Sequence, residues 1–208
     1  DEEKAKRVVA LESEVDRYED ELGSYLVKLS AKEVSGRDNH TLNTLLHCIG
    51  DFERISDHAR NIKEAAEEMY RKGLAFSDGA REELTVFEKA IHEILKVTML
   101  GFAEEDVKLA GQVEPIEEVV DDLQIDMKQR HIKRLREGNC TIEMGFILAD
   151  ITTNFERVAD HCSNIAVCLL QADEDEYDPH AYLGELKRDK NADFTHMVEG
   201  YRARYRLP

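Results

Sequence analysis

From Glu2 onward the apolar positions follow a helical stripe. Val8, Leu11, Val15, Tyr18, Leu22, Tyr25 and Leu29 recur every three or four residues. That spacing predicts one amphipathic helix running to about Ala31. A polar break with Gly36 follows, and Asp38 or Asn39 is the expected cap of a second helix. That helix reaches about Arg71, and Gly73 ends it. Ser77 or Asp78 opens a third helix to about Phe102. A fourth is predicted from about Glu104 to Glu137, kinked or briefly interrupted at Pro115. Gly138 and Asn139 close it, and Thr141 caps a fifth helix to about Ala172. The acidic linker DEDEYDP follows from Asp173, then one or two short helices ending at Arg206. The fold class read from this pattern is all-α.

Laid over these helices is an internal repeat. Asp51 to Ile62 reads DFERISDHARNI, and Asn154 to Ile165 reads NFERVADHCSNI. Seven of the twelve positions are identical: Phe52, Glu53, Arg54, Asp57, His58, Asn61 and Ile62 return as Phe155, Glu156, Arg157, Asp160, His161, Asn164 and Ile165. A repeated core needs apolar residues at helical spacing; it does not need the same Glu, Asp, His and Asn. The repeat extends upstream. LESEVDRY from Leu11 aligns with IEEVVDDL from Ile116, so Glu12 matches Glu117 and Asp16 matches Asp121. Each half therefore holds a helix with Glu-x-x-x-Asp, a break containing Gly, and a helix with Glu-Arg-x-x-Asp-His. The third helix precedes this pair in the second half. Its counterpart in the first half is absent here, or supplied by sequence before Asp1.

Composition agrees with long helices. The chain has 208 residues, 42% of them hydrophobic, with no Trp, three Pro and 11 Gly. The formal charge of −17 argues against a nucleic-acid partner, which Lys and Arg would have to hold. An acidic surface suits cations, basic proteins or plain solubility. Cys48, Cys140, Cys162 and Cys168 form no CxxC pair and sit in apolar helical stretches, so reduced thiols are expected. No apolar run approaches the roughly 20 residues that cross a bilayer. The helical pattern is already under way at Glu2, without an initiating Met, so a longer parent chain is expected.

The repeated acids are the candidate chemistry. Glu53 and Asp57 share one side of a helix, about 40° apart, and Asn61 continues the stripe. Phe52, Ile55, Ala59 and Ile62 form the apolar arc, which puts these carboxylates beside or opposite it, towards the surface. Like charges at this spacing cost a few tenths of a kcal/mol on one helix, and facing stripes cost more. A bound multivalent cation offsets that repulsion. Oxygen ligands favour Mg, Ca and Mn, and carboxylate-rich bundles also bind iron. Two metal clusters are expected: Glu12, Asp16, Glu53 and Asp57, and Glu117, Asp121, Glu156 and Asp160. Glu118 and Asp122 are the alternates if helix phase shifts near Pro115. His58 and His161 fit either an interface hydrogen-bond network or a metal. Asn61 and Asn164 fit packing or support of the metal site. Arg54 and Arg157 are expected to pair with acids on a neighbouring helix. Nucleophile-elbow, P-loop, Rossmann and HExxH signatures are absent, as is the Glu-x-x-His of di-iron bundles.

At these residues the chain resembles the PhoU family. The matching pattern is Glu-Arg-x-x-Asp-His-x-x-Asn-Ile, present as ERISDHARNI and ERVADHCSNI, with the Glu-x-x-x-Asp of the preceding helix. The resemblance implies a pair of antiparallel bundles of spectrin-like three-helix repeats, the first lacking one helix. The implied divisions are a two-helix repeat at 1–72, a three-helix repeat at 76–172, and an acidic linker and helical tail at 173–208. It also implies control of phosphate uptake and multinuclear metal clusters on the acidic motifs. Iron, zinc, manganese and magnesium are the candidate divalent or trivalent ions. The short first repeat and the tail FTHMVEGYRARYRLP look like the C-terminal domain of sodium/phosphate cotransporter-type proteins. That likeness implies a soluble, non-enzymatic regulatory domain on the cytoplasmic side of the membrane, tethered to the transmembrane transporter domain of its own parent chain.

Two alternatives stand beside this reading: a carboxylate-bridged metalloenzyme, and a structural helical adaptor without metal. For the tail, with Tyr201, Tyr205, Arg202, Arg204 and Arg206, packing on the bundle is favoured over contact with an acidic partner or lipid headgroups. The missing helix leaves an apolar face on the first unit. The tail or a second molecule, giving a homodimer, is expected to cover it.

Overall fold

The computed structural model describes residues 1–32, 35–171 and 192–208. Seven α-helices and no strands occur among them: α1 (Glu2–Ser30), α2 (Gly36–Lys72), α3 (Asp78–Glu104), α4 (Val107–Ala110), α5 (Val113–Arg136), α6 (Ile142–Leu170) and α7 (Ala192–Arg204). Side-chain oxygens start the helices. Asp1 accepts from the Glu3 and Lys4 amides, and Ser77 and Thr141 accept from Ala80 and Met144. Ser35, not Asp38 or Asn39, caps α2. Gly73 ends α2 at φ 65°, where a side chain would be strained.

The predicted fourth helix is two helices, α4 and α5. The interruption lies at Gly111 and Gln112, just upstream of Pro115. Proline clashes with the carbonyl four residues before it. Breaking the chain there leaves Pro115 in the first turn of α5, where it costs little.

α3, α5 and α6 form a three-helix unit around Phe87, Ile94, Ile116, Val120 and Met127, none of them exposed to solvent. Each such side chain contributes about 1.5–3 kcal/mol of burial. α1 packs against α2 as a two-helix unit, and α2 lies along α6. The long α2–α6 contact joins the repeats. Phe52 of α2 also meets Phe102 of α3 edge to face, ring centroids 4.9 Å apart. The pairing is antiparallel, because Lys72 near the end of α2 reaches Glu143 at the start of α6, 2.8 Å away.

The tail helix packs on the second unit, against α5. Phe194, Val198, Tyr205 and Leu207 join the main core. Arg202 pairs with Asp122 and Glu118, and Arg204 with Glu93. Packing is therefore what the tail does, but on the wrong unit for the expectation that it covers α1. Leu11, Tyr18, Leu22 and Tyr25 of α1 stay about half exposed. The acidic linker lies outside the described residues.

Candidate metal centre

α1 and α2 run antiparallel, and this brings the first set of acids together. Ligand oxygens of Glu12, Asp16 and Asp57 all lie within 4.8 Å of one another. Among the described residues this is the one group of three or more His, Cys, Asp or Glu so placed. Glu12 is buried, and Asp16 Oδ1 is buried with no hydrogen-bond partner. A buried, unsatisfied carboxylate oxygen facing two more carboxylates is costly without a cation. The donor set is all oxygen, which suits hard ions such as Mg²⁺, Mn²⁺ and Ca²⁺. Glu53 completes the patch from α2. Burial, and then the neighbouring Asp57, push its carboxyl above the ordinary 4.5.

The second set lies at the equivalent places on α5 and α6, but its carboxylates do not converge within 4.8 Å as the first set's do. Burial raises the Glu156 carboxyl, and Asp160 and Asp121 add to the shift. Asp121 of α5 and Asp160 of α6 therefore both lie near Glu156. Glu117, one turn before Asp121, is buried. Glu118 and Asp122 point the other way, to Arg202, so the phase after Pro115 favours Glu117 and Asp121. Glu53, Asp57, Glu156 and Asp160 are half-buried rather than turned towards the surface. The partner helix closes over them, which the single-helix projection did not include.

Several partners were not legible in the repeat. Arg60 reaches Glu12 at 2.5 Å and holds its carboxyl below the ordinary range. Its counterpart is Ser163, which donates to buried Glu114 at 2.6 Å. The first cluster thus carries an arginine where the second carries a serine and a further acid. Positions 60 and 163 differ, so identity between the halves gave no signal for them. Arg54 and Arg157 also depart from expectation. They bond Asp57 and Asp160 three residues along their own helices, at 3.2 and 3.1 Å. In a helix that spacing already lies within reach of the fork.

A metal at the first cluster would compete with Arg60 for Glu12, so Arg60→Ala is expected to tighten divalent-ion binding about tenfold by removing a nearby positive charge. Titration of Mn²⁺ by calorimetry checks this; unchanged or weaker binding rejects the competition.

The repeated histidines and asparagines serve the contact between the halves. The His58 and His161 rings stack with centroids 5.5 Å apart. His58 Nδ1 and Asn61 Nδ2 donate to Asn154 Oδ1 at 2.8 and 3.2 Å. His161 Nδ1 and Asn164 Nδ2 donate to Asp51 Oδ1 at 2.8 and 3.1 Å. The two sets are equivalent under the internal repeat, with Asp51 in one half replaced by Asn154 in the other. Of the two roles open to these histidines in the sequence, this is the interface network. Asn154→Ala removes both bonds to Oδ1, and a loss of about 1–2 kcal/mol is expected from urea unfolding. A loss below a few tenths of a kcal/mol would show that the network does not hold the halves together.

The sequence profile of the PhoU domain matches residues 1–66 and 87–169. This chain belongs to the PhoU family. Two curated relatives agree. A phosphate-specific transport system accessory protein PhoU homolog of Thermotoga maritima is 29% identical over 122 residues, covering 59% of this chain and 52% of that protein. Its Synechocystis counterpart is 24% identical, covering 77% of this chain and 70% of that protein. The chain thus matches about half the length of the first relative. The crystal structure of the phosphate transport system regulatory protein PhoU from Streptococcus pneumoniae superposes with a TM-score of 0.68 at 17% identity, covering 85% of this chain and 82% of that one. The expected PhoU-like all-α bundle is therefore the fold. No helix among the described residues is long and apolar enough to cross a membrane.

Proposed function

We propose that this PhoU domain is a non-enzymatic, metal-binding regulator of phosphate transport. The observation that carries the metal is the convergence of Glu12, Asp16 and Asp57 within 4.8 Å, with a buried, unpartnered Asp16 oxygen. The transport role is supported by the names of its relatives, an accessory protein and a regulatory protein of phosphate transport. In this reading a metal ties α1 to α2 and α5 to α6 through their facing carboxylates. Whatever alters metal occupancy then shifts the bundle between arrangements that the transporter senses. We further propose that the transporter belongs to the sodium/phosphate cotransporter type and shares the parent chain, with this domain on its cytoplasmic side. The packed tail supports that finer reading.

The experiment is elemental analysis of the purified chain, followed by stripping with chelator and reloading with iron, zinc, manganese or magnesium in turn. Stoichiometric metal that returns after reloading is expected. Absence of metal, with no uptake of any of the four ions, leaves the structural adaptor.

A further inference from the structure

We infer that the corner of the second unit around the α5–α6 turn is a membrane-contact surface. It seats Ile132, Ile142 and Phe146 in an anionic lipid headgroup layer, with Lys128, Lys133 and Arg136 around them. Phe146 is 71% exposed and Ile142 66%, one turn apart on α6. Ile132 is 48% exposed on α5. His131 and Gly145 bring the two stripes together: a Cβ at Gly145 would overlap His131 Nε2. α5 and α6 run antiparallel, so the next residue on each, Ile132 and Phe146, turns to the same side of the pair. That side is the one away from α3. Phe146 precedes Phe155, which meets Phe87 of α3, by nine residues, or about 180° around the helix. The internal repeat puts a third helix on the α3 side of a unit, so it calls for no helix over this corner.

The charge here is opposite to the −17 of the whole chain. Residues 128–136 read KQRHIKRLR, with five Lys or Arg and no acid. A helix dipole draws cations only to the last turn, and Lys128 lies about two turns before the end of α5. Arg130 and Arg134 share the carboxylate of Glu83. Lys128, Lys133 and Arg136 are exposed and form no ion pair among the described residues. Lys128, Ile132 and Arg136 follow at four-residue intervals along one face of α5, and Lys133 flanks them. Glu143 is spent on Lys72, which leaves Glu137 and Asp150 against these three cations. Glu117 and Asp121 lie about 18–24 Å back along α5 from Lys133. That is more than twice the Debye length of about 8 Å at physiological ionic strength, so their charge is screened from the corner. Protruding Phe and Ile beside Lys and Arg is the chemistry of an interfacial anchor: apolar side chains enter the headgroup boundary and cations meet lipid phosphates. The tail offers no such contact, because Arg202 and Arg204 are spent on Asp122, Glu118 and Glu93. This surface depends on neither the metal nor the transport role proposed above.

Flotation of the 208-residue chain with vesicles, in chelator throughout, tests this. The chelator removes metal bridges between carboxylates and headgroups. Vesicles of phosphatidylcholine with about 30% phosphatidylglycerol should carry the chain, pure phosphatidylcholine should not, and about 0.5 M salt should release it. Phe146→Ser with Ile142→Ser should weaken binding at least about tenfold with unchanged helical circular dichroism, since both side chains are exposed. Lys133→Gln with Arg136→Gln should weaken it roughly 25-fold, at about fivefold for each cation near an anionic surface. Lys89→Gln with Lys96→Gln removes the same charge from the exposed side of α3 and should change binding less than about twofold. No flotation with the phosphatidylglycerol vesicles overturns the proposal and leaves the corner to a protein partner. Equal losses from the α3 lysines and from the corner overturn it too, because the attraction would then be general rather than sited at the α5–α6 turn.

Discussion

Asp57→Asn with Asp160→Asn should abolish metal loading of both repeats while leaving the helices intact. Each Asp is half-buried and carries none of the apolar core; Asp57 faces Glu12 and Asp16 of α1, and Asp160 lies beside Glu156. Loss of a supporting contact around a metal typically costs 10–100-fold in affinity, and loss of a ligand costs at least about 100-fold. The amide keeps the shape and removes the charge. Arg54 and Arg157 lose a salt bridge but stay solvated on the exposed side of their helices. Circular dichroism should be unchanged, and equilibrium dialysis with Mn²⁺ should show binding gone. Wild-type Mn²⁺ affinity in the double variant would remove the acidic motifs from the metal reading. In cells, altered phosphate uptake with the same variant would connect the metal to transport.

The same variant should change how the metal-free protein responds to pH. Glu53 and Glu156 titrate above 4.5 because burial disfavours their charged forms and an Asp one turn away repels them. A group raised on folding favours the folded state fully below its unfolded value. That contribution is lost as pH rises through the folded value. The metal-free protein should therefore lose some stability as pH climbs through the window just above 4.5, and metal should restore it. Asp57→Asn and Asp160→Asn remove one repelling charge beside each Glu, so their pH profile should be flatter there. Glu12 opposes this trend. Arg60 lowers its carboxyl, so its contribution is lost only on acidification below the ordinary range.

How much of this was legible follows from what a repeat can reveal. Helix periodicity located α1, α2, α3 and α6 to within a few residues, because each carries a continuous apolar stripe, but it ran α4 and α5 together. The identity of Glu53 with Glu156 and of Asp57 with Asp160 pointed to the acidic patches before any coordinates. What escaped was pairwise and non-local. Arg60 and Ser163 differ, so the contrast between the clusters appears only where α1 and α5 supply Glu12 and Glu114. Asp51 and Asn154 also differ, yet each accepts the equivalent His and Asn across the α2–α6 contact. Their shared role is hydrogen-bond acceptance, which a carboxylate and an amide both provide. The tail was read for its aromatics and arginines. Its location depended on Glu118, Asp122 and Glu93, three acids unremarkable in a chain with 45.

Phe87→Ala should be the most destabilising single truncation in the second unit, at about 3–5 kcal/mol. Phe87 is fully buried, and its ring meets Phe155 edge to face with centroids 5.2 Å apart. Phe155 is the residue before Glu156, so the contact sets how α3 presses the acidic stretch of α6 against α5. The loss is a large share of the 5–15 kcal/mol that holds a typical domain. The first unit supplies the control. Phe52, the counterpart of Phe155, meets Phe102 of α3 and is half-buried. Phe52→Ala should therefore cost clearly less. Urea unfolding should show a lower midpoint for Phe87→Ala with an unchanged slope, since the same surface is exposed on unfolding. Mn²⁺ should stabilise Phe87→Ala less than wild type, because a looser α3 no longer presses Glu156 and Asp160 towards Asp121. Equal losses for Phe87→Ala and Phe52→Ala would mean that the two units are supported alike, and that the third helix does not set the difference between them.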